Sequence, residues 1–177
     1  MRVAISGKSG CGNTTVSSLL AKNLNFPLIN FTFRALSEEK GIDFWTFCEM
    51  AKQDDNIDKE LDRRQVEMAL GEKDCVLGSR LAIWMLKDAD LKVYLIASDE
   101  VRAKRVFERE GGNIEDIMKQ TSLRDESDSN RYLKIYNIDN SDTNFADLVI
   151  DTEIFTPEEI VEKIIERVKK IDSIENK

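Results

Sequence analysis

The feature that most constrains this chain is a short apolar run that empties straight into glycines. Arg2-Val3-Ala4-Ile5-Ser6 reads as a buried strand, and Gly7-Lys8-Ser9-Gly10-Cys11-Gly12-Asn13-Thr14-Thr15 follows it. Val16, Leu19, Leu20 and Leu24 then repeat at helical spacing. Strand, glycine loop and helix in that order make a phosphate-binding loop. Gly7 and Gly12 occupy the two glycine positions, and Thr14 occupies that of the magnesium-binding hydroxyl. Glycines let backbone amides converge on phosphate oxygens, and the helix N-terminus adds a favourable dipole. The expected phosphate contacts are therefore Gly7, Lys8, Ser9, Gly10, Cys11, Gly12, Asn13, Thr14 and Thr15, with Thr14 on the metal. One position departs from the pattern. Asn13 stands where a lysine normally reaches the β- and γ-phosphates, and asparagine brings no charge. Lys8 is the nearest replacement; the alternative is that Lys8 is only a solvated surface lysine.

The rest of the pattern completes an α/β sheet. Strands are expected at 2–6, 27–30, 74–77, 91–97 and 147–151, and helices at 13–24, 43–53, 57–70, 99–110, 114–136 and 157–170. Ser98 reads as a helix N-cap, Gly111-Gly112 as a stop, and Thr156-Pro157-Glu158-Glu159 as a capping box with proline at the first helical position. The chain beyond Ile171 reads as a frayed tail. Alternation without a repeat, a linker or a second core predicts one domain over 1–177, a five-stranded parallel sheet flanked by helices.

What the chain lacks narrows the chemistry. It has no histidine, which excludes Ser-His-Asp, Cys-His and histidine-base mechanisms. Cys11, Cys48 and Cys75 have no paired spacing, which argues against a disulfide framework and a zinc site. A net charge of −8 disfavours nucleic acid as a partner, while a local arginine cluster can still hold a small phosphorylated ligand. No apolar run approaches the ~18 residues of a membrane span, and the first residues carry no secretion signal. The expectation is a cytoplasmic monomer with no membrane partner. Arginine, lysine, carboxylates, hydroxyls, amides and metal remain, and phosphoryl transfer suits that set.

Several arginine-bearing segments follow in chain order: FTFRALSEEKG around Arg34, NIDKELDRRQ around Asp62, Arg63 and Arg64, SRLAIWM around Arg80, VRAKRVFEREGG with Arg102, Arg105 and Arg109, and RDESDSNRYLKIYNID with Arg124, Asp128 and Arg131. With DLVIDT, these segments strongly resemble the cytidylate kinases, and above all their short archaeal-type branch. The likeness runs from the glycine loop to the final helix. It implies the P-loop nucleoside monophosphate kinase fold, with an NMP-binding segment at about 31–71 and a lid at about 108–130. It implies ATP and Mg²⁺ on the glycine loop and CMP or dCMP as acceptor. Arg34, Arg80 and Arg131 match acceptor-phosphate ligands, Arg124 and Asp128 lie near the acceptor ribose, and Asp62 and Arg63 fall in the NMP-binding segment. Arg105 and Arg109 match lid arginines that neutralise the transferred phosphoryl, so that Lys8, Arg105, Arg109 and Arg124 form the expected catalytic set.

Read as residues alone, Arg124, Asp128 and Arg131 share one helical face and could be surface ion pairs worth ~0.3–0.5 kcal/mol each. Arg102 reads as solvated, Arg64 as either a site residue or an ordinary helix-surface residue, and Trp45 and Trp84 as packing residues. Leu77-Gly78-Ser79-Arg80 lacks the acid that related kinases carry before the glycine–arginine pair. Two other classes stay open at this point: a nucleotide-binding relative without turnover, and another small-molecule P-loop kinase.

Overall fold

A computed structural model describes residues 1–175, apart from the side chains of Trp45 and Glu175; the packing expected for Trp45 lies outside the described side chains. In chain order the elements are β1 (Arg2–Gly7), α1 (Asn13–Leu24), β2 (Leu28–Ile29), α2 (Phe33–Glu39), α3 (Phe44–Ala51), α4 (Asp55–Gly71), β3 (Cys75–Gly78), α5 (Ala82–Met85), β4 (Leu91–Ile96), α6 (Asp99–Glu110), α7 (Ile114–Tyr136), β5 (Leu148–Asp151) and α8 (Pro157–Glu175). The strands form one five-stranded sheet in the order β2-β3-β1-β4-β5, with every pairing parallel. A parallel strand covered on both faces must be apolar throughout. Val3, Ala4 and Ile5 at the sheet centre are fully buried accordingly.

Each face of the sheet has its own core. On one face Val16 and Leu20 of α1, with Ile160, Ile164 and Val168 of α8, pack on Val3, Ile5, Val93 and Leu95. On the other, Ala69 of α4, Ile83 and Trp84 of α5 and Tyr132 of α7 pack on Ala4, Leu77 and Tyr94. Trp84 is the packing residue expected, edge-on to Tyr94 at 5.7 Å between ring centroids. A third cluster of Leu36, Phe47, Ala51 and Ile57 gives the 31–71 segment a small core of its own.

The structure adds elements that periodicity did not announce. α2 begins on Thr32, whose hydroxyl accepts the Ala35 amide at 3.1 Å. α5 is a single turn, fixed where the Ile83 amide donates to Ser6 Oγ at 3.1 Å. α8 continues to Glu175, past the end expected near 170. The 156–159 capping box forms as expected. The Thr156 amide donates to Glu159 Oε2 at 2.8 Å and the Glu159 amide to Thr156 Oγ1 at 3.3 Å.

Strand order decides where a ligand can enter. β1 and β3 are neighbours, yet α1 leaves β1 onto one face and α5 leaves β3 onto the other. Chains that part in this way open a crevice at the carboxyl ends of the two strands. The glycine loop forms one wall of it, and Ser79 and Arg80 form the other.

Candidate active site

The loop has the backbone shape that its sequence calls for. Gly10 and Gly12 have φ of 82° and 85°, and the Cys11 amide closes a turn on the Lys8 carbonyl at 3.1 Å. Gly10 is required twice over: its φ is left-handed, and a Cβ there would lie 2.6 Å from the Arg102 carbonyl oxygen. The chain then enters α1 with no acid in the first turn and no side-chain cap on its amides. The Thr14 and Thr15 hydroxyls are exposed there. Free amides, a dipole and hydroxyls meet at one point, which is what a phosphate tail needs.

Asn13 does not face that point. Its amide nitrogen donates to the Ile5 and Ser79 carbonyls, both at 3.1 Å, and its oxygen accepts from Ser17 Oγ at 2.9 Å. All its polar capacity toward the sheet is therefore spent on tying β1, the segment after β3 and α1 together. Gly78 makes this possible, since a Cβ there would lie 2.5 Å from Ser17 Oγ and 3.0 Å from Asn13 Oδ1. Asn13 thus stands as a structural pin within the loop. The Lys8 side chain has no hydrogen bond or ion pair among the described residues and is close enough to Asp99 and Asp139 for both carboxyls to feel its charge.

Across the crevice the structure gathers Arg34, Arg80, Arg124 and Arg131. Arg34 and Arg124 lie over the Phe44 ring, at 4.1 and 5.8 Å from its centroid. Neither makes an ion pair with a carboxylate among the described residues. Arg80 pairs with Asp128. Arg131 reaches Asp128 and Asp58, both at 2.9 Å, and Ser127 Oγ at 3.2 Å. Asp128 and Asp58 are almost fully buried, so these are far from the solvated pairs that helix spacing allowed for. Like charges crowd here. Neighbouring Arg80, reinforced by burial, pulls the Arg124 guanidinium down to about 10. A concentration of positive charge that disfavours itself is a site for an anion.

Asp62 is buried beside this cluster and accepts from the Tyr136 hydroxyl at 2.8 Å. Burial pushes its carboxyl up to about 7, with Asp58 adding to the rise against the Tyr136 bond and Arg131. Arg63, one residue on, is not brought to the cluster: its guanidinium is exposed and holds Glu67 at 2.6 Å. Helix geometry turns adjacent residues about 100° apart, so Asp62 and Arg63 cannot share a face. Arg64 lies at the surface, paired with Glu39 at 2.6 Å.

The α6 arginines divide. Arg109 is exposed and bonded to its neighbour Glu110. Arg105 donates to the Gly10 carbonyl at 3.3 Å and to Thr152 at 2.8 and 2.7 Å, so its donors brace the loop against the end of β5. Arg102 overturns its reading as a solvated side chain. It is only 2% exposed and holds Asp99 at 2.6 Å, Asp125 at 2.7 Å and the Ser9 carbonyl at 2.9 Å. Asp125 could have been suspected from the Arg124-Asp125 pair; nothing local marks Arg102, whose burial comes from a loop ninety residues away in the chain.

Residues 2–154 match the cytidylate kinase-like family. A protein named cytidylate kinase 2 from Borreliella burgdorferi is 47% identical over 174 residues, covering 96% of both chains. One named cytidylate kinase from Methanobrevibacter smithii is 39% identical, covering 97% of this chain and all of the other. Among solved structures, a shikimate kinase from Bacteroides thetaiotaomicron aligns with a TM-score of 0.63 at 16% identity, covering 96% of this chain and 98% of the other. A deoxyadenosine kinase from M. mycoides aligns with a TM-score of 0.58 at 14% identity, covering 96% of this chain and all of the other. These structural likenesses carry the fold: a sheet and glycine loop of the P-loop kinase kind.

Proposed function

The chain belongs to the cytidylate kinase-like family and is a nucleoside monophosphate kinase, and from that premise we propose that it moves the γ-phosphoryl of ATP to CMP or dCMP, giving ADP and CDP or dCDP. The observation that carries this reading is the crevice between β1 and β3, with a bare-amide glycine loop on one wall and four guanidiniums on the other.

In this reading the loop from Gly7 to Thr15 grips the triphosphate of ATP through its amides. Magnesium fits the donor set. Among the described residues no group of three acids or cysteines could hold an ion alone, whereas the exposed Thr14 hydroxyl beside nucleotide phosphates is the sparse set that Mg²⁺ accepts. Thr14 would hold the ion, which when bound supplies charge neutralisation between the phosphates. Arg34, Arg80, Arg124 and Arg131 hold the acceptor monophosphate, with bidentate guanidinium forks matched to phosphate oxygens. Asp128 orients Arg80 and Arg131 from below. The acceptor oxygen is already anionic at neutral pH, so no general base is needed, and positioning with charge stabilisation does the work. With Asn13 committed to strand carbonyls, positive charge for the transferred group comes from Lys8 and from Arg109 at the turn between α6 and α7. Closure of that turn excludes water and favours transfer over hydrolysis.

The test is release of ADP from ATP in the presence of CMP, dCMP, UMP or AMP. Stimulation by CMP or dCMP above the other two is expected. No stimulation by any acceptor would remove the kinase assignment to this crevice, and preference for UMP or AMP would remove the cytidine assignment.

A further inference from the structure

The buried guanidinium of Arg102 lies outside both walls of the crevice, yet it touches each of them. Three acceptors converge on it: Asp99 in the first turn of α6 at 2.6 Å, Asp125 of α7 at 2.7 Å and the Ser9 carbonyl of the glycine loop at 2.9 Å. The loop also rests directly on the Arg102 backbone, since a Cβ on Gly10 would lie 2.9 Å from its Cα. Burial lowers the proton affinity of this group, but the bonds it donates to Asp99 and Asp125 outweigh that and keep it firmly charged. A charge held this way is rigid, because two carboxylates and a carbonyl fix the orientation of its planar fork.

Two geometric consequences follow. In a trans peptide the carbonyl and the next amide point in opposite directions. Fixing the Ser9 carbonyl on Arg102 therefore turns the Gly10 amide away from α6. On the other side, Asp125 directly follows Arg124 and lies one helical turn before Asp128, so fixing Asp125 fixes the rotation of the helix that presents both. One side chain thus sets the aim of a donor-side amide and of an acceptor-side arginine.

We propose that Arg102 is a positioning residue whose pair with Asp125 couples the two walls, so that a nucleotide on the glycine loop tightens binding of a nucleoside monophosphate at the arginine cluster, and the reverse. This rests on the kinase reading of the crevice. Coupling of this kind is reciprocal: each ligand must shift the other's affinity by the same factor, commonly about 5–150-fold.

The experiment measures dissociation constants by calorimetry for the β,γ-imido analogue of ATP with Mg²⁺, and for CMP, each alone and with the other saturating. The wild type, Asp125→Asn and Arg102→Lys are compared, with circular-dichroism melting to establish which variants are folded. Asparagine keeps the shape of Asp125 without its charge, and lysine keeps the charge of Arg102 without the fork. The expected result is a matching factor of about 5 or more in the wild type that falls below about 2 in either folded variant. The two single-ligand constants should move by less than about threefold. A merely structural role would weaken both single-ligand constants and leave the coupling factor untouched. A wild-type factor near one, or an undiminished factor in a folded variant, overturns the coupling while leaving the kinase reading standing. Failure of the wild type to bind either nucleotide overturns that reading itself, and the coupling with it.

Discussion

At the scale of single residues, Asn13 carries the plainest lesson. A loop position usually given to a phosphate-reaching cation here bonds two strand-end carbonyls at 3.1 Å each. Asn13→Ala strips the Ser79 carbonyl of its donor and leaves the Ile5 carbonyl with the Ser79 amide alone, and the expected loss is about 1–3 kcal/mol of unfolding free energy in urea. Asp62 makes an opposite prediction. Its folded-state carboxyl sits at about 7, above the value near 4 of an unfolded aspartate. The folded state then binds more protons than the unfolded one between those values. The stability this group contributes is fully present below about pH 4 and is lost as pH rises through about 7. Asp62→Asn, which keeps the acceptor for Tyr136, should melt above the wild type at pH 8 by the equivalent of roughly 2–4 kcal/mol, with the difference gone near pH 4. Arg124, with no carboxylate partner among the described residues and pressed by Arg80, is the arginine most in need of an anion. Arg124→Gln should raise the KM for CMP by about 10-fold or more, with the KM for ATP changed far less.

At the scale of elements, long periodic segments were legible and short or contact-built ones were not. α6 and α7 fall at 99–110 and 114–136, the bounds expected for them, with Ser98 and the glycine pair marking the two ends of α6. α5 was not legible, because four residues hold no period and a bond to Ser6 Oγ fixes the turn. That Arg124, Asp128 and Arg131 share one helical face could be read from their spacing, which alone fitted surface ion pairs equally; their place in a site came by resemblance. Arg34 and Arg80 joined them by the same resemblance, and not even a shared face marked them, as their neighbourhood is made by tertiary contact with Phe44 and Asp128. Arg102 was misread for the same reason: on a charged helix, spacing cannot distinguish an arginine facing water from one facing a loop. That packing has its own consequence. Gly10→Ala must open the contact between loop and α6 and adopt a left-handed φ besides. A drop of several degrees in melting temperature, together with loss of ATP binding by calorimetry, is expected.

At the scale of the whole molecule, the two ligands meet an acidic protein of net charge −8, so attraction comes from the local cluster rather than the overall field. On the proposed function each ligand binds the folded chain and not the unfolded one, so each should stabilise it by about 2.7 kcal/mol at a concentration 100 times its Kd and raise the melting temperature accordingly. With both present, the scan should show more than the sum of the two shifts. The strand that leads into the glycine loop is also the middle of the sheet. Its neighbours come much later in the chain, Cys75 opposite Arg2 and Leu91 opposite Val3. During synthesis or refolding β1 must therefore wait, exposed and apolar, for two distant segments to arrive. Contacts of such high sequence separation form slowly and leave an early chain open to aggregation. A loop able to grip phosphate consequently forms only once the centre of the sheet has closed, and a nucleotide that binds it would capture only chains that have reached that point.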